Sequence, residues 1–126
     1  MSYRIMLLIG RAARSEPILV PPVVASLGVV DVVSQEDFPA RLEEGYSLVV
    51  ADISRGADAV AALDDLRKRK SRVPVVVLSG APDWREARRL LLAGAVDYLS
   101  KGLDQPELRH RLEAALALSR NRARTE

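Results

Sequence analysis

Five short apolar runs, each followed by a segment with helical spacing, predict an α/β domain: a doubly wound, five-stranded parallel sheet with helices on both faces. The runs are YRIMLLI (3–9), VVDVV (29–33), LVVAD (48–52), VPVVVL (73–78) and VDYLS (96–100). Strands buried on both faces read as near-continuous apolar stretches, whereas half-exposed strands alternate. Strand and helix alternating along the chain implies crossover connections, and right-handed crossovers leave few topologies. With 126 residues the chain holds one domain. Its expected extent is 1–119, with 120–126 as a polar basic tail or the start of a linker.

The first strand stops at Gly10, and 11–15 is expected as a loop. Ser15-Glu16-Pro17 would start a helix, with serine at the cap and proline in the first turn. Pro21-Pro22 interrupts it, because proline inside a helix removes a hydrogen bond and clashes with the preceding turn, at about 3 kcal/mol. The first helix is therefore expected to be kinked or late-starting and to end near Leu27-Gly28. Asp31 breaks the second apolar run, which places that strand near the sheet edge. A short helix over 37–44 carries Pro39 in its first turn and closes at Gly45. After the third strand, 57–70 forms a helix in which Val60, Leu63 and Leu66-Arg67 recur at helical spacing. The fourth strand leads into Ser79-Gly80. A helix over 83–93 turns Leu90, Leu91 and Leu92 toward the core and Arg85, Arg88 and Arg89 outward, and Gly94 ends it. Asp104 opens the last helix, and Glu107 makes its start resemble a capping box. Leu108, Leu112, Ala115, Leu116 and Ser119 line its buried face.

Composition excludes several classes of chemistry. Apolar residues make up 48% and charged residues 29%, the balance of an ordinary soluble globular domain. No cysteine is present, which rules out disulfides, thiolate metal sites and cysteine nucleophiles. The single histidine, His110, cannot build a multi-histidine metal site and argues against a Ser-His-Asp triad. No run approaches the roughly 20 apolar residues that span a bilayer, so a cytoplasmic protein without membrane contact is expected. Net charge is +2 and the pI about 9.3. Two basic clusters, RKRKSR (67–72) and RNRAR (120–124), could contact phosphates. One Trp, one Phe and three Tyr give little material for base stacking, so solvated helix ends are the default and nucleic acid is not an expected partner. In the last turn of its helix the first cluster also complements the helix dipole.

The candidate site lies where the strands end. In open parallel sheets ligands bind outside the carboxyl ends of the strands. Those ends supply Ile9-Gly10, Asp52, Ser79-Gly80 and, just after the fifth strand, Lys101. A carboxylate, a hydroxyl and an ammonium group converging there could hold a phosphoryl group on the carboxylate. Taken singly, Asp52 reads equally as a cap of the following turn or helix. Ser79 alone could bond local backbone, Tyr98 could be a partly buried surface aromatic, and Lys101 could be a solvated cation. In order and at this spacing, three segments resemble the receiver domain of bacterial two-component response regulators, over nearly the whole chain. Leu48-Val49-Val50-Ala51-Asp52-Ile53 is similar to the family's phosphoacceptor strand. Pro74-Val75-Val76-Val77-Leu78-Ser79-Gly80 is similar to its strand ending in the switch hydroxyl and a small residue. Gly94-Ala95-Val96-Asp97-Tyr98-Leu99-Ser100-Lys101 is similar to the segment with its switch aromatic and invariant lysine. The resemblance implies the flavodoxin-like strand order 2-1-3-4-5. It also implies Asp52 as phosphoacceptor, Lys101 paired with it or with the phosphoryl group, Ser79 donating to a phosphoryl oxygen, and Tyr98 swinging with that contact.

Two positions depart from the family pattern. The family ends its first strand in an acidic pair that helps hold a divalent cation; this chain reads Ile9-Gly10, followed by Arg11. Magnesium takes oxygen ligands in a negative site, so no bound metal or other cofactor is expected and magnesium-dependent phosphorylation should be impaired. Gly102 follows the lysine where the family has proline, often cis. A non-proline cis peptide costs roughly 2.5–4 kcal/mol, so Lys101-Gly102 is expected to be trans. The expectation is a degenerate receiver, or pseudo-receiver: a signal-transduction module of a phosphorelay, not an enzyme. It would work through contacts with a histidine kinase, an effector domain or a second copy of the chain. Arg11 would pair with Asp52 as a metal-substituting cation, its planar guanidinium suiting a carboxylate; equally, Arg11 is exposed and Asp52 pairs with Lys101. The resemblance puts partner contacts on the face of the fourth helix, fifth strand and fifth helix, which here carries Trp84, Arg88 and Tyr98. An ordinary packing role for Trp84 is the alternative. Two competing functions stand beside this one: a receiver that still uses Asp52, and a small nucleotide-binding domain or enzyme of similar topology. GRAARSE (10–16) matches neither the dinucleotide nor the P-loop pattern, which weakens the last.

Overall fold

The computed structural model describes residues 3–10, 20–52 and 56–124 of the chain. β1 (Tyr3–Ile9), β2 (Gly28–Ser34), β3 (Leu48–Asp52), β4 (Val75–Ser79) and β5 (Asp97–Ser100) form a parallel sheet in the order β2-β1-β3-β4-β5. Between and after them run α1 (Pro22–Leu27), α2 (Phe38–Arg41), α3 (Gly56–Lys68), α4 (Trp84–Leu92) and α5 (Gln105–Arg124), with a 3-10 turn at Leu42–Glu44. The doubly wound architecture and its strand order are those expected.

Side-chain alternation along each strand divides the core into two layers. Met6, Leu8, Val49, Ala51 and Val77 pack with Phe38 of α2, Leu63 and Leu66 of α3 and Leu90 of α4. Ile5, Leu7, Val50, Val76 and Leu78 pack with Val23 and Val24 of α1 and Leu108, Leu112 and Leu116 of α5. Both faces of the central strands are therefore dry, which is why 5–9, 48–51 and 75–78 are apolar throughout. Each fully buried Leu or Val contributes roughly 1.5–3 kcal/mol.

Local chemistry sets the element ends. α1 begins only at Pro22, in its first position, because the residue before a proline is pushed to extended backbone: Pro21 has ψ 134°. The late start is the one expected, whereas Ser15-Glu16-Pro17 lies outside the described residues. At Gly28 an added Cβ would sit 2.2 Å from the Tyr3 carbonyl oxygen, so glycine alone lets β2 approach β1 there. α3 stops at Lys68, short of the expected 70. Lys70 takes φ 55°, and the Ser71 N–H returns to the Leu66 carbonyl at 2.9 Å. β4 starts two residues into its apolar run, since Pro74 has no N–H for the ladder.

One expectation fails on α4. Leu90 is buried, but Leu91 and Leu92 are 46% and 77% exposed. Consecutive helical residues point about 100° apart, so three in a row cannot share one apolar stripe. Asp83 caps this helix by accepting the Arg85 N–H at 2.9 Å, and Gly94, at φ 119°, closes it. α5 opens on Asp104, whose carboxylate accepts the Glu107 N–H at 2.9 Å. It buries Leu108, Leu112, Ala115 and Leu116 as expected and continues as helix to Arg124, past the expected boundary at 119. No described helix is long and apolar enough to cross a membrane.

β2 lies at the sheet edge, as Asp31 suggested, and Val29 and Val32 are exposed there. Asp31 ties this edge to the turn before β3. Tyr46 Oη donates to Asp31 Oδ2 at 2.8 Å, Arg4 Nε donates to the same oxygen at 3.1 Å, and the Arg4 guanidinium stacks over the Tyr46 ring at 4.7 Å. The Tyr46 hydrogen bond, then those of Arg4, hold the Asp31 carboxyl below the usual carboxylate range against the opposing effect of burial. A carboxyl whose folded pKa is lowered stabilises the fold above its unfolded pKa and loses that contribution as pH falls through the folded value. Tyr46→Phe should therefore lower stability by about 1 kcal/mol at neutral pH. The deficit should shrink as pH falls through the lowered value of the Asp31 carboxyl, where that contribution is lost; urea midpoints at neutral and acid pH measure it.

Candidate functional site

The carboxyl edge of the sheet is assembled by register. Ile9 lies opposite Asp52, Asp52 opposite Leu78, and Ser79 opposite Ser100, so Lys101 emerges directly beside β4. The Lys101 N–H donates to the Ser79 carbonyl at 2.9 Å, which pins the loop after β5 to the end of β4. That loop is a tight turn: Leu103 N–H donates to the Ser100 carbonyl at 3.2 Å, and Gly102 N–H to Ser100 Oγ at 3.0 Å. The Lys101-Gly102 peptide is trans.

Asp52 is the last residue of β3, and its Oδ1 is ion-paired with Lys101 Nζ. The carboxylate is mostly buried and the lysine side chain 44% exposed, so the pair sits at the rim of the sheet rather than in the core. Water reaches one partner, which limits the pair to about 1 kcal/mol or less of stabilisation. This is one of the two arrangements expected for Asp52. The other requires Arg11, which lies outside the described residues.

Ser79 is buried, at 6% exposure, and its Oγ accepts the Ala81 N–H at 3.2 Å. That bond uses an acceptor site and leaves the hydroxyl proton to be donated elsewhere. The neighbouring Gly80 keeps the approach open: a Cβ built on it would meet only Lys101 Cδ, at 3.8 Å. Tyr98 leaves β5 on the opposite side, half-buried against the Leu90 layer. Its Oη donates to Glu86 Oε1 at 3.0 Å and accepts the Asp83 N–H at 3.3 Å, so it is latched to the first turn of α4. Trp84, next to Asp83 in the chain, is 69% exposed, with the Arg85 guanidinium 5.2 Å from its ring, and Arg88 is exposed one turn on. The structure thus joins Asp52, Lys101 and Ser79 at one edge and sets Tyr98, Trp84 and Arg88 around α4.

Two partners escaped the sequence reading. Gln35 follows β2, donates its N–H to the Ile9 carbonyl at 3.1 Å, and is buried with Oε1 lacking a partner among the described residues. A polar residue directly after an apolar strand was its only signal. Arg111 grips Asp97 with two hydrogen bonds of 2.7 Å, fastening α5 to β5. Nothing in the spacing of Asp97 and Arg111 marked that pair.

An array of this kind, a strand-end carboxylate with a lysine on it and a hydroxyl nearby, can accept a phosphoryl group on the free carboxylate oxygen. The ammonium and hydroxyl would then bind phosphoryl oxygens. Comparison with known proteins identifies the family. A family model for the response regulator receiver domain matches residues 27–113. The chain is 37% identical over 82 residues to the uncharacterized transcriptional regulatory protein YkoG of Bacillus subtilis, covering 64% of this chain and 36% of that protein. It is 33% identical over 79 residues to the transcriptional regulatory protein ZraR of Salmonella typhimurium, covering 62% of this chain and 18% of that protein. The match thus spans about a third or less of these curated relatives. Among solved structures, a signal receiver domain from Vibrio parahaemolyticus superposes with a TM-score of 0.79 at 19% identity, covering 100% of this chain and 98% of that one. A response regulator from Thermotoga maritima gives 0.71 at 23% identity, covering 93% of this chain and 99% of the other. At such identities the structural likeness speaks for the fold, and the family model, matched over more than half the chain, for descent. The chain belongs to the response regulator receiver domain family.

Proposed function

We propose that this receiver domain transmits signals mainly through protein contacts, with magnesium-dependent phosphorylation at Asp52 weakened or lost. The observation that carries the reading is the donor set at the carboxyl edge. Magnesium binds through one or two carboxylates plus waters and needs surplus negative charge. Here Asp52 is neutralised by Lys101, Ile9 in register beside it is aliphatic, and Gly10 has no side chain. Among the described residues no three His, Asp or Glu side chains cluster. The described residues do not fit the metal, so no step is routed through one. What they can do is hold the Asp52–Lys101 pair as a neutral, self-satisfied unit. On this reading Trp84 and Arg88, exposed on α4, form part of the contact face toward a histidine kinase, an effector domain or a second copy of the chain. The protein acts as a cytoplasmic signalling module and not as an enzyme.

A second reading is favoured by one specific feature. Ser79 and Lys101 lie at the same edge as Asp52, as a phosphoacceptor site requires, so slow attack of the carboxylate on a reactive phosphodonor is chemically open. Intact-mass measurement after incubation with a small acyl phosphate and magnesium separates the two. The expected outcome is no stable gain of a phosphoryl group on the parent chain. A full gain that disappears in Asp52→Ala would establish the second reading instead. If the missing acids are the cause, the double variant Ile9→Asp/Gly10→Asp should raise the Asp52-dependent phosphorylation rate by about tenfold or more. Circular dichroism verifies that the double variant is folded.

A further inference from the structure

A groove of about 440 Å³ opens at the end of the sheet opposite Asp52, between the carboxyl ends of α3 and α4. Val73 and Ala93, partly exposed, form its apolar rim over the buried Leu63, Leu66 and Val75, and Arg67 and Arg72 line it from the basic cluster. No aromatic residue lines it. Such a volume lies within the range that accommodates several side chains of a bound segment.

The charge around the groove exceeds what the fold needs. Five cations fall within the six residues from Arg67 to Arg72. Arg67 is paired with Asp64 at 2.8 Å and Arg69 with Glu43 at 3.5 Å, while Lys68 and Lys70 have no ion pair among the described residues. Lys68 and Lys70 are both exposed, so the cluster presents two positive charges that no acid among the described residues takes up. The carboxyl end of α3 presents the equivalent of only about half a negative charge, and only within its last turn. Helix-dipole complementation therefore accounts for a minor part of the cluster.

Lys70 adds an independent observation. It occupies the left-handed position that closes α3, at φ 55°. Gly45 and Gly94 take positive φ at the corresponding ends, after the 3-10 turn and after α4. A side chain in that region is strained relative to glycine. Lys70, itself exposed, carries this strain in the loop that holds the basic cluster.

We propose that this groove docks an acidic amphipathic segment of a partner protein, its apolar side chains against Val73 and Ala93 and its carboxylates against the 67–72 cations. Nucleic acid fits less well, because single strands need aromatic stacking platforms and the groove offers an aliphatic wall. A second copy of the chain would bring the same surplus of positive charge to a two-fold contact. The inference does not depend on the state of Asp52 and concerns a surface remote from Trp84.

The test uses the full chain and a fluorescein-labelled synthetic peptide with Glu at every polar and Leu at every apolar helical position. Anisotropy should saturate, and amide shifts should cluster at 63–75 and 93–94. A peptide of equal charge with each Leu replaced by Gly should bind about tenfold more weakly or worse, since several apolar contacts are lost. Lys68→Glu/Arg72→Glu should weaken the Leu peptide by about tenfold through charge reversal at the rim. Lys70→Gly should raise the urea midpoint by relieving the strained φ while weakening the peptide about twofold or more, opposite signs that a purely structural lysine would not produce. Trp84→Ala and Asp52→Ala should bind as the parent does, which separates failure here from failure of the contact or phosphorylation readings above. Equal binding of the Leu and Gly peptides, tighter binding of duplex DNA than of the Leu peptide, or shifts centred on α4 and Asp52 would each overturn the proposal.

Discussion

Burial of the sheet on both faces is the constraint from which the rest of this molecule follows. Once helices cover both sides, a charged or hydroxyl side chain within β1, β3 or β4 would be desolvated without compensation, at several kcal/mol for a charge. Polar chemistry is thereby confined to the strand ends. The parallel register then lines those ends up, so that Asp52, Ser79 and the residue after Ser100 meet at a common edge although they are far apart in sequence. The same constraint produces the opposite edge, where the loop from α3 into β4 carries cations that could not be held inside. Both candidate surfaces are thus consequences of where a two-faced parallel sheet allows charge to stand.

At the carboxyl edge, what replaces an acid matters as much as which acid is kept. Carboxylates gathered beside Asp52 would disfavour one another's ionised forms and would call for a cation to hold them together. Ile9 is almost fully buried and Gly10 bears no side chain, and among the described residues the counter-charge to Asp52 is Lys101. Beside that pair, Ser79 Oγ accepts the Ala81 N–H and Tyr98 Oη is held by Glu86 and the Asp83 N–H.

How much of this was legible beforehand follows from which forces act locally. The strands could be read because dry strands leave an unbroken apolar signature, their order was implied by the family resemblance, and Asp31 betrayed the edge strand by breaking its run. Asp83 and Asp104 were legible as starts of α4 and α5 because a cap bonds backbone two or three residues away. The orientation of Leu91 and Leu92 was misread because a run of three leucines looks like a core segment when its angular spread is ignored. Asp97 with Arg111, Tyr98 with Glu86 and Asp31 with Tyr46 were not legible at all. Each joins residues at least 12 positions apart across two elements, and only the folded register brings them together. At the site, the positions of Asp52, Ser79 and Lys101 were visible through their strand ends, whereas the choice of Lys101 as the partner of Asp52 required coordinates.

The unequal anchoring of the helices carries the same logic into dynamics. α5 buries Leu108, Leu112, Ala115 and Leu116 along several turns, while α4 buries only Leu90 and leaves Leu91, Leu92 and Trp84 largely in water. One buried leucine contributes roughly 1.5–3 kcal/mol, against several times that for α5. The remaining restraints on α4 are polar and sit at its ends: the Asp83 cap, the Tyr98 hydroxyl on Glu86, and the Gly94 closure, where the Ala95 N–H meets the Leu90 carbonyl at 3.0 Å. Elements with few buried apolar contacts open at lower free energy than the core. α4 is therefore the helix whose position small changes in polar bonding can shift. Tyr98, on the strand that leads directly to Lys101, supplies the polar bond from β5 that meets the first turn of this helix.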